Sequence, residues 1–159
     1  MTRVDPLARA VYALLVIACF AAFFVTQRLK HTPTVVQRFE LTPRFSPFPG
    51  GHVKQEAISF RLANADAVTV TIIDANEEVV ATLVRDRRLP RYKQFSLRWN
   101  GRRGTARHFR TLTTAAGHAV LVPVNEGRLA PAGEYRVKVT LREQSRKVLS
   151  PRSFTLVGG

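Results

Sequence analysis

At 159 residues, 45% hydrophobic and 23% charged, the chain has room for one globular domain and a short appendage. Its single cysteine excludes an intramolecular disulfide, so packing alone must hold the fold. The formal charge of +14, from 25 Lys and Arg against 11 Asp and Glu, favours anionic partners: nucleic acid, phospholipid head groups or acidic envelope polymers. A solvated basic surface explains the same charge, so the charge by itself names no partner.

Residues 1–30 read as a tail and a single transmembrane helix. The run 7–25 is almost wholly apolar, and Arg9 near one end can snorkel toward head groups. At about 1.5 Å per helical residue, the run and its neighbours match a bilayer core of about 30 Å. Pro6 suits a first helical turn, and Arg28 and Lys30 close the far side. A cleaved secretory signal has a shorter apolar core and small residues before the cut, whereas Phe20, Phe23, Phe24 and Val25 prolong this one. Val16-Ile17-Ala18-Cys19 loosely resembles a lipobox, but the greasy 20–25 would make an odd start for a lipoprotein. The expectation is an uncleaved anchor held in the lipid bilayer through 7–26, in the cell membrane. Arg3 and Arg9 before the span balance Arg28 and Lys30 after it, so the positive-inside count is tied. A short tail before a lone span places the C-terminal domain outside the cytoplasm.

Residues 31–55 read as a tether. Pro33, Pro43, Pro47 and Pro49, with Gly50 and Gly51, forbid a helix. Within it, 35–41 suits a short edge strand, and Phe45 and Phe48 suit a plug for the end of the domain.

Residues 56–159 read as an all-β domain, an Ig-like antiparallel β-sandwich with an insertion at about 102–125. Short apolar-alternating runs with turn signals between them are the mark of a sandwich. Ile58, Phe60 and Leu62 alternate, and 68–73 is β-branched almost throughout. Asp74-Ala75-Asn76-Glu77 makes a hairpin, with Asn76 suited to the left-handed position. Residues 79–84 return, and Phe95-Ser96-Leu97-Arg98-Trp99 follows. The strongest strand is 133–141, where Tyr135, Val137, Val139 and Leu141 share one face and Arg136, Lys138 and Thr140 the other. Trp99 and Tyr135 are expected to pack across the two sheets. In the insertion, 107–114 and 118–124 pair as a hairpin about Ala115-Ala116-Gly117, and a last strand occupies 153–157.

Three stretches together carry a resemblance. Residues 72–83 run Ile-Ile-Asp-Ala-Asn-Glu-Glu-Val-Val-Ala-Thr-Leu, 97–101 run Leu-Arg-Trp-Asn-Gly, and 129–135 run Leu-Ala-Pro-Ala-Gly-Glu-Tyr. In order and spacing they resemble the FlgD-type Ig-like domain. With the N-terminal segment and Phe45-Ser46-Pro47, the whole is similar to small membrane-anchored envelope proteins of actinobacteria. Glu77 stands where that family has Gly, and Asn100 where it has Asp. The segment between Gly101 and Gly133 is longer than the family's. The resemblance implies an interaction module and carries over no flagellar hook role, since the hook-capping protein's assembly segments have no counterpart.

No catalytic constellation emerges. His31, His52, His108 and His118 lack metal-ligand spacing and adjoin no orienting carboxylate. Cys19 lies in the apolar run, away from any base, and Gly101-Arg102-Arg103-Gly104-Thr105 lacks the ending of a phosphate loop. No enzyme activity, metal or cofactor is expected. The outward-pointing feature is basic: Arg85, Arg87, Arg88, Arg91, Lys93, Arg102, Arg103, Arg107 and Arg110 form a candidate anionic-ligand patch, with Asp86 the lone acid among them. Tyr92 and Phe109 interleave with it and suit cation–π contact. The expected function is a non-enzymatic, membrane-tethered extracytoplasmic Ig-like module for protein interaction or envelope organisation. The alternatives are a binder of anionic envelope polymer or lipid head groups through 85–110, and a docking subunit of a larger membrane complex. A protein partner is expected, an anionic polymer is allowed, and nucleic acid is not expected.

Overall fold

Period-two alternation of apolar side chains builds the core, because a strand that buries one face needs a second sheet to cover it. The computed structural model describes residues 6–30 and 35–158. In chain order its elements are helix α1 (Pro6–Lys30) and strands β1 (Val36–Leu41), β2 (Arg44–Phe45), β3 (Glu56–Leu62), β4 (Asp66–Ile73), β5 (Val79–Leu89), β6 (Gln94–Trp99), β7 (Gly104–Thr105), β8 (His108–Thr113), β9 (Ala119–Val124), β10 (Gly133–Leu141), β11 (Arg146–Leu149) and β12 (Phe154–Leu156). One sheet runs β1-β3-β6-β9-β8; the other runs β2-β12-β10-β4-β5-β7, with β11 also pairing β10. The fold is a β-sandwich. Its pairings are mostly antiparallel, but β6–β9, β5–β7 and β12–β2 are parallel.

The core is what the alternation predicts. Ile58, Phe60, Leu62, Val68, Val70, Ile72, Val137, Val139 and Leu141 are all buried, while Arg136 on β10 is exposed. Trp99 is fully buried, 5.8 Å ring to ring and edge-on from Tyr135. Phe45 and Phe154 complete this cluster at 5.6 and 6.0 Å from the Trp99 ring. The polar tips are satisfied as well. Trp99 Nε1–H donates to the Arg102 carbonyl at 2.8 Å, and the Tyr135 hydroxyl donates to the Pro131 carbonyl at 2.6 Å. That hydroxyl bond pins the loop entering β10, as a tyrosine corner does in Ig-like folds.

Four expectations change. First, a single-pass anchor is not supported: among the described residues no helix is long and apolar enough to cross a membrane. The transmembrane helix, the bilayer attachment through 7–26, the cell-membrane location and the extracytoplasmic orientation all fall with it. Arg3, His31 and Pro33, on which parts of that reading drew, lie outside the described residues.

Second, the compact unit begins at Val35. Much of the stretch read as a tether belongs to the sandwich: β1 pairs with β3, β2 pairs with β12, and Phe45 is buried, though Phe48 is only half so. Proline forbade a helix there but not short edge strands. Third, the left-handed residue of the β4–β5 hairpin is Glu77, at φ +62°, not Asn76. Asp74 explains the choice, since its Oδ1 accepts from the N–H groups of Asn76 and Glu78 and fixes the turn around them. Fourth, β5 continues to Leu89, well past 84. A register shift opposite Val68 and Val70 and a positive φ at Asp86 (+45°) mark a bulge, and the Asp86 N–H bonds to Thr69 Oγ1. Beyond it the strand is re-aimed.

Candidate functional site

The bulge at Asp86 sets the far end of β5, where Arg87 pairs opposite Val68, Arg88 opposite Ala67 and Leu89 opposite Asp66. Leu89 is buried, and the Arg87 guanidinium carbon lies 6.0 Å from the centroid of the Phe95 ring on β6. The turn into β6 holds Tyr92 at φ +57°, with its N–H bonded to the Leu62 carbonyl at 2.7 Å. A non-glycine residue in this region is strained, and here the strain presents an aromatic ring that is 57% exposed.

Across from this turn stands the inserted hairpin, where the sequence placed it. β8 and β9 pair over six positions, from His108↔Val124 to Thr113↔Ala119, and the turn at Gly117 takes φ +77°. Leu97 of β6 pairs with Leu121 of β9, which joins the hairpin to the first sheet. Between the β5 end, β6 and the hairpin lies a groove of about 690 Å³. Arg87, Arg88, Tyr92, Lys93, Phe95 and His118 contribute its chemistry, and among the described residues no carboxylate lines it. Two other grooves lack this character, since one is lined by Asp74, Glu77 and Glu134 and the other by Glu40.

The basic patch expected from the sequence is thereby divided. Arg87, Arg88 and Lys93 come together in the groove. Arg88 shares its charge with Glu143 at 2.7 Å, an exposed pair on the rim. Arg91 folds over the Tyr92 ring at 5.5 Å, while Arg85 is exposed further back on β5. Arg107 and Arg110 are exposed just before and on β8. Arg102 and Arg103 belong elsewhere, beside Trp99: Arg102 bonds to the Gly127 carbonyl, and the Arg103 N–H to the Arg128 carbonyl. His118 was not singled out as a site residue by sequence, and nothing local to Gly117-His118-Ala119 would have done so. Its place in the groove comes from the hairpin packing beside β6.

Two buried carboxyls lie outside the groove. Burial pushes Glu56 up to about 8, against one hydrogen bond from the Thr42 N–H to its Oε1 (2.9 Å). Its Oε2 is buried without a partner, which is the arrangement a neutral carboxyl tolerates and an anion does not. Asp66 is the opposite case. Burial pushes its carboxyl up, but bonds from the Glu143 N–H (2.8 Å), the Gln144 side chain (3.1 Å) and the Gln144 N–H (3.2 Å) outweigh it and hold the group below its usual range. Asp66 closes the β10–β11 turn as an anion. Among the described residues no three His, Cys, Asp or Glu side chains converge to hold a metal ion.

No protein-family model, curated protein or solved structure matches the chain.

Proposed function

We propose that the protein is a non-enzymatic Ig-like interaction module that recognises an anionic partner through the groove between β5, β6 and the β8–β9 hairpin. One observation carries this reading: a groove lined by three cationic side chains, a histidine and two aromatic rings and, among the described residues, by no carboxylate. Arginine forks bind carboxylate and phosphate oxygens with two parallel bonds, and the exposed Tyr92 ring offers a flat apolar face beside them. The strained backbone at Tyr92 supports the same reading, because strain of this kind persists where the surroundings hold a residue for use. The likeness of 72–83, 97–101 and 129–135 to FlgD-type Ig-like domains supports an interaction role for the sandwich. The long segment after Gly101 then adds the groove's second wall.

The test compares two double charge reversals in the full chain. Arg87→Glu with Lys93→Glu alters the groove. Arg146→Glu with Lys147→Glu alters two exposed positions on β11. Binding to polyglutamate should weaken about tenfold in the first, a change of about 1.4 kcal/mol, and little in the second. Equal weakening in both would leave a generally basic surface and no site.

A further inference from the structure

β8 leaves the first sheet with a bare edge. It pairs with β9 on one side and, among the described residues, with no strand on the other, and all six of its side chains are exposed. The bond from the Thr114 N–H to the His118 carbonyl, at 2.9 Å, fixes the phase of the hairpin. In an antiparallel pair, alternate residues turn their N–H and C=O toward the partner strand. His108, Arg110 and Leu112 therefore bond to β9, while Phe109, Thr111 and Thr113 turn theirs outward. Pro123, which has no N–H, stands opposite Phe109, at a position where none is needed.

The opposite edge of the same sheet is protected. β1 has a register shift between Gln37 and Glu40, a left-handed Arg38 at φ +47°, and charges of both signs. Such devices blunt an edge against further pairing. β8 has no register shift and no acid, and its formal charge is Arg110, with Arg107 just before it.

We propose that β8 is the docking edge for an extended acidic segment of a partner protein, which joins the first sheet as an added strand and turns its carboxylates toward the groove. The outward backbone groups select a polypeptide, because nucleic acids and lipids have no ladder of N–H and C=O groups to offer. Charge selects acidity. Thr111 lines the groove together with Arg87, Arg88 and Lys93, so an added strand meets cations on that face. Arg110, one residue away, alternates to the other face and meets that side of the strand. A second copy of this chain is the wrong occupant: edge-to-edge pairing would bring together Arg107 and Arg110 of two chains, each carrying +14. The inference rests on the groove as an anion site, but adds a backbone ladder that can fail separately.

The experiment titrates the full chain with a blocked heptapeptide alternating Glu and Val. Two analogues are N-methylated on alternate residues in opposite phase, and an oligothymidylate of equal charge serves as the non-peptide probe. Amide exchange is read residue by residue. Binding of the plain peptide should slow exchange at Phe109, Thr111 and Thr113 and leave β1 unchanged. One of the two methylated phases should bind about tenfold more weakly, the oligothymidylate should bind more weakly and protect none of these amides, and Thr111→Pro, which removes an outward N–H and no bond to β9, should match the methylation loss. The methylated peptides leave the protein untouched, so a folding defect in Thr111→Pro cannot mimic the result. Equal binding of all three peptides, or of the oligothymidylate, would overturn docking on β8. If Arg87→Glu with Lys93→Glu then still abolished binding, the groove reading would stand alone. If that pair left peptide affinity intact, the groove reading and the acidic character of the partner would fall instead.

Discussion

The two ends of β6 meet different environments only four residues apart. At one end Trp99 is fully buried among Phe45, Tyr135 and Phe154, and its N–H is bonded to the protein. At the other end Phe95 is half-buried, edge-on to Phe60 at 5.7 Å, with the Arg87 guanidinium 6.0 Å from its ring. The first end has a layer of aromatic rings from the facing sheet and the β1–β3 connection. The second has, in place of such a layer, cations and a hairpin on its flank. One strand thus contributes to the stability of the fold at its C-terminal end and to the candidate site at its N-terminal end. The difference lies in what surrounds each ring, since both are aromatic residues on the same face of the strand.

The largest expected effect breaks the closed end. Trp99→Ala should cost about 3–5 kcal/mol, the usual range for truncating a buried aromatic, which approaches the whole stability of a small domain. Chemical denaturation of the full chain reads it, and an unchanged midpoint would remove Trp99 from the core. Glu56, paired opposite Trp99 in the β3–β6 ladder, tests the same end by pH. Its folded value of about 8 lies above the ordinary value of 4.5, so between them the folded state holds a proton that the unfolded chain has released. Stability should therefore fall as pH rises from 5 to 8, by about 3 kcal/mol. Glu56→Gln should flatten that decline, and an unflattened profile would mean that Glu56 is not neutral in the fold. Asp66 acts with the opposite sign. Its lowered value adds stability that is present at neutral pH and lost as pH falls below the ordinary carboxylate range.

Smaller effects sharpen the open end. Phe95→Ala removes a half-buried ring and should cost about 1–2 kcal/mol, less than a full core truncation. It should also weaken polyglutamate binding, which Trp99→Ala should spare in whatever fraction stays folded. A loss of 3 kcal/mol or more would make Phe95 as much a core residue as Trp99. The smallest effect lies away from both ends. Glu77→Gly should raise stability by up to about 1 kcal/mol, because φ +62° is strained for a side chain and free for glycine. A lower thermal midpoint in that variant would mean that the Glu77 side chain does more than occupy the turn.

Much of the sandwich was legible in the chain because alternation is a local property. Tyr135, Val137, Val139 and Leu141 identify their strand and its buried face without reference to anything else, and so do Ile58, Phe60 and Leu62. The inserted hairpin and its turn at 115–117 were likewise readable, since a glycine turn between two runs of strand-favouring residues suffices. At the Trp-Asn-Gly turn the Asn100 Oδ1 accepts from the Arg102 N–H at 3.1 Å, a bond open equally to an aspartate.

Other features depended on partners distant in sequence. Whether 35–45 was tether or strand depended on β3 and β12 being present to pair with it. The left-handed residue fell on Glu77 because Asp74 captured the neighbouring amides, and β5 reached Leu89 because Thr69 bonded the bulge at Asp86. The sequence shows ten cationic residues crowded between 85 and 110, but proximity along a chain is not proximity in space. The fold sent Arg102 and Arg103 to the Trp99 end of β6 and gathered Arg87, Arg88 and Lys93 with His118 at the other. Side-chain periodicity sets which face of a strand is buried, and it acts within a few residues. Which strands become neighbours, and so which charges share a groove, is decided only when the whole sheet closes.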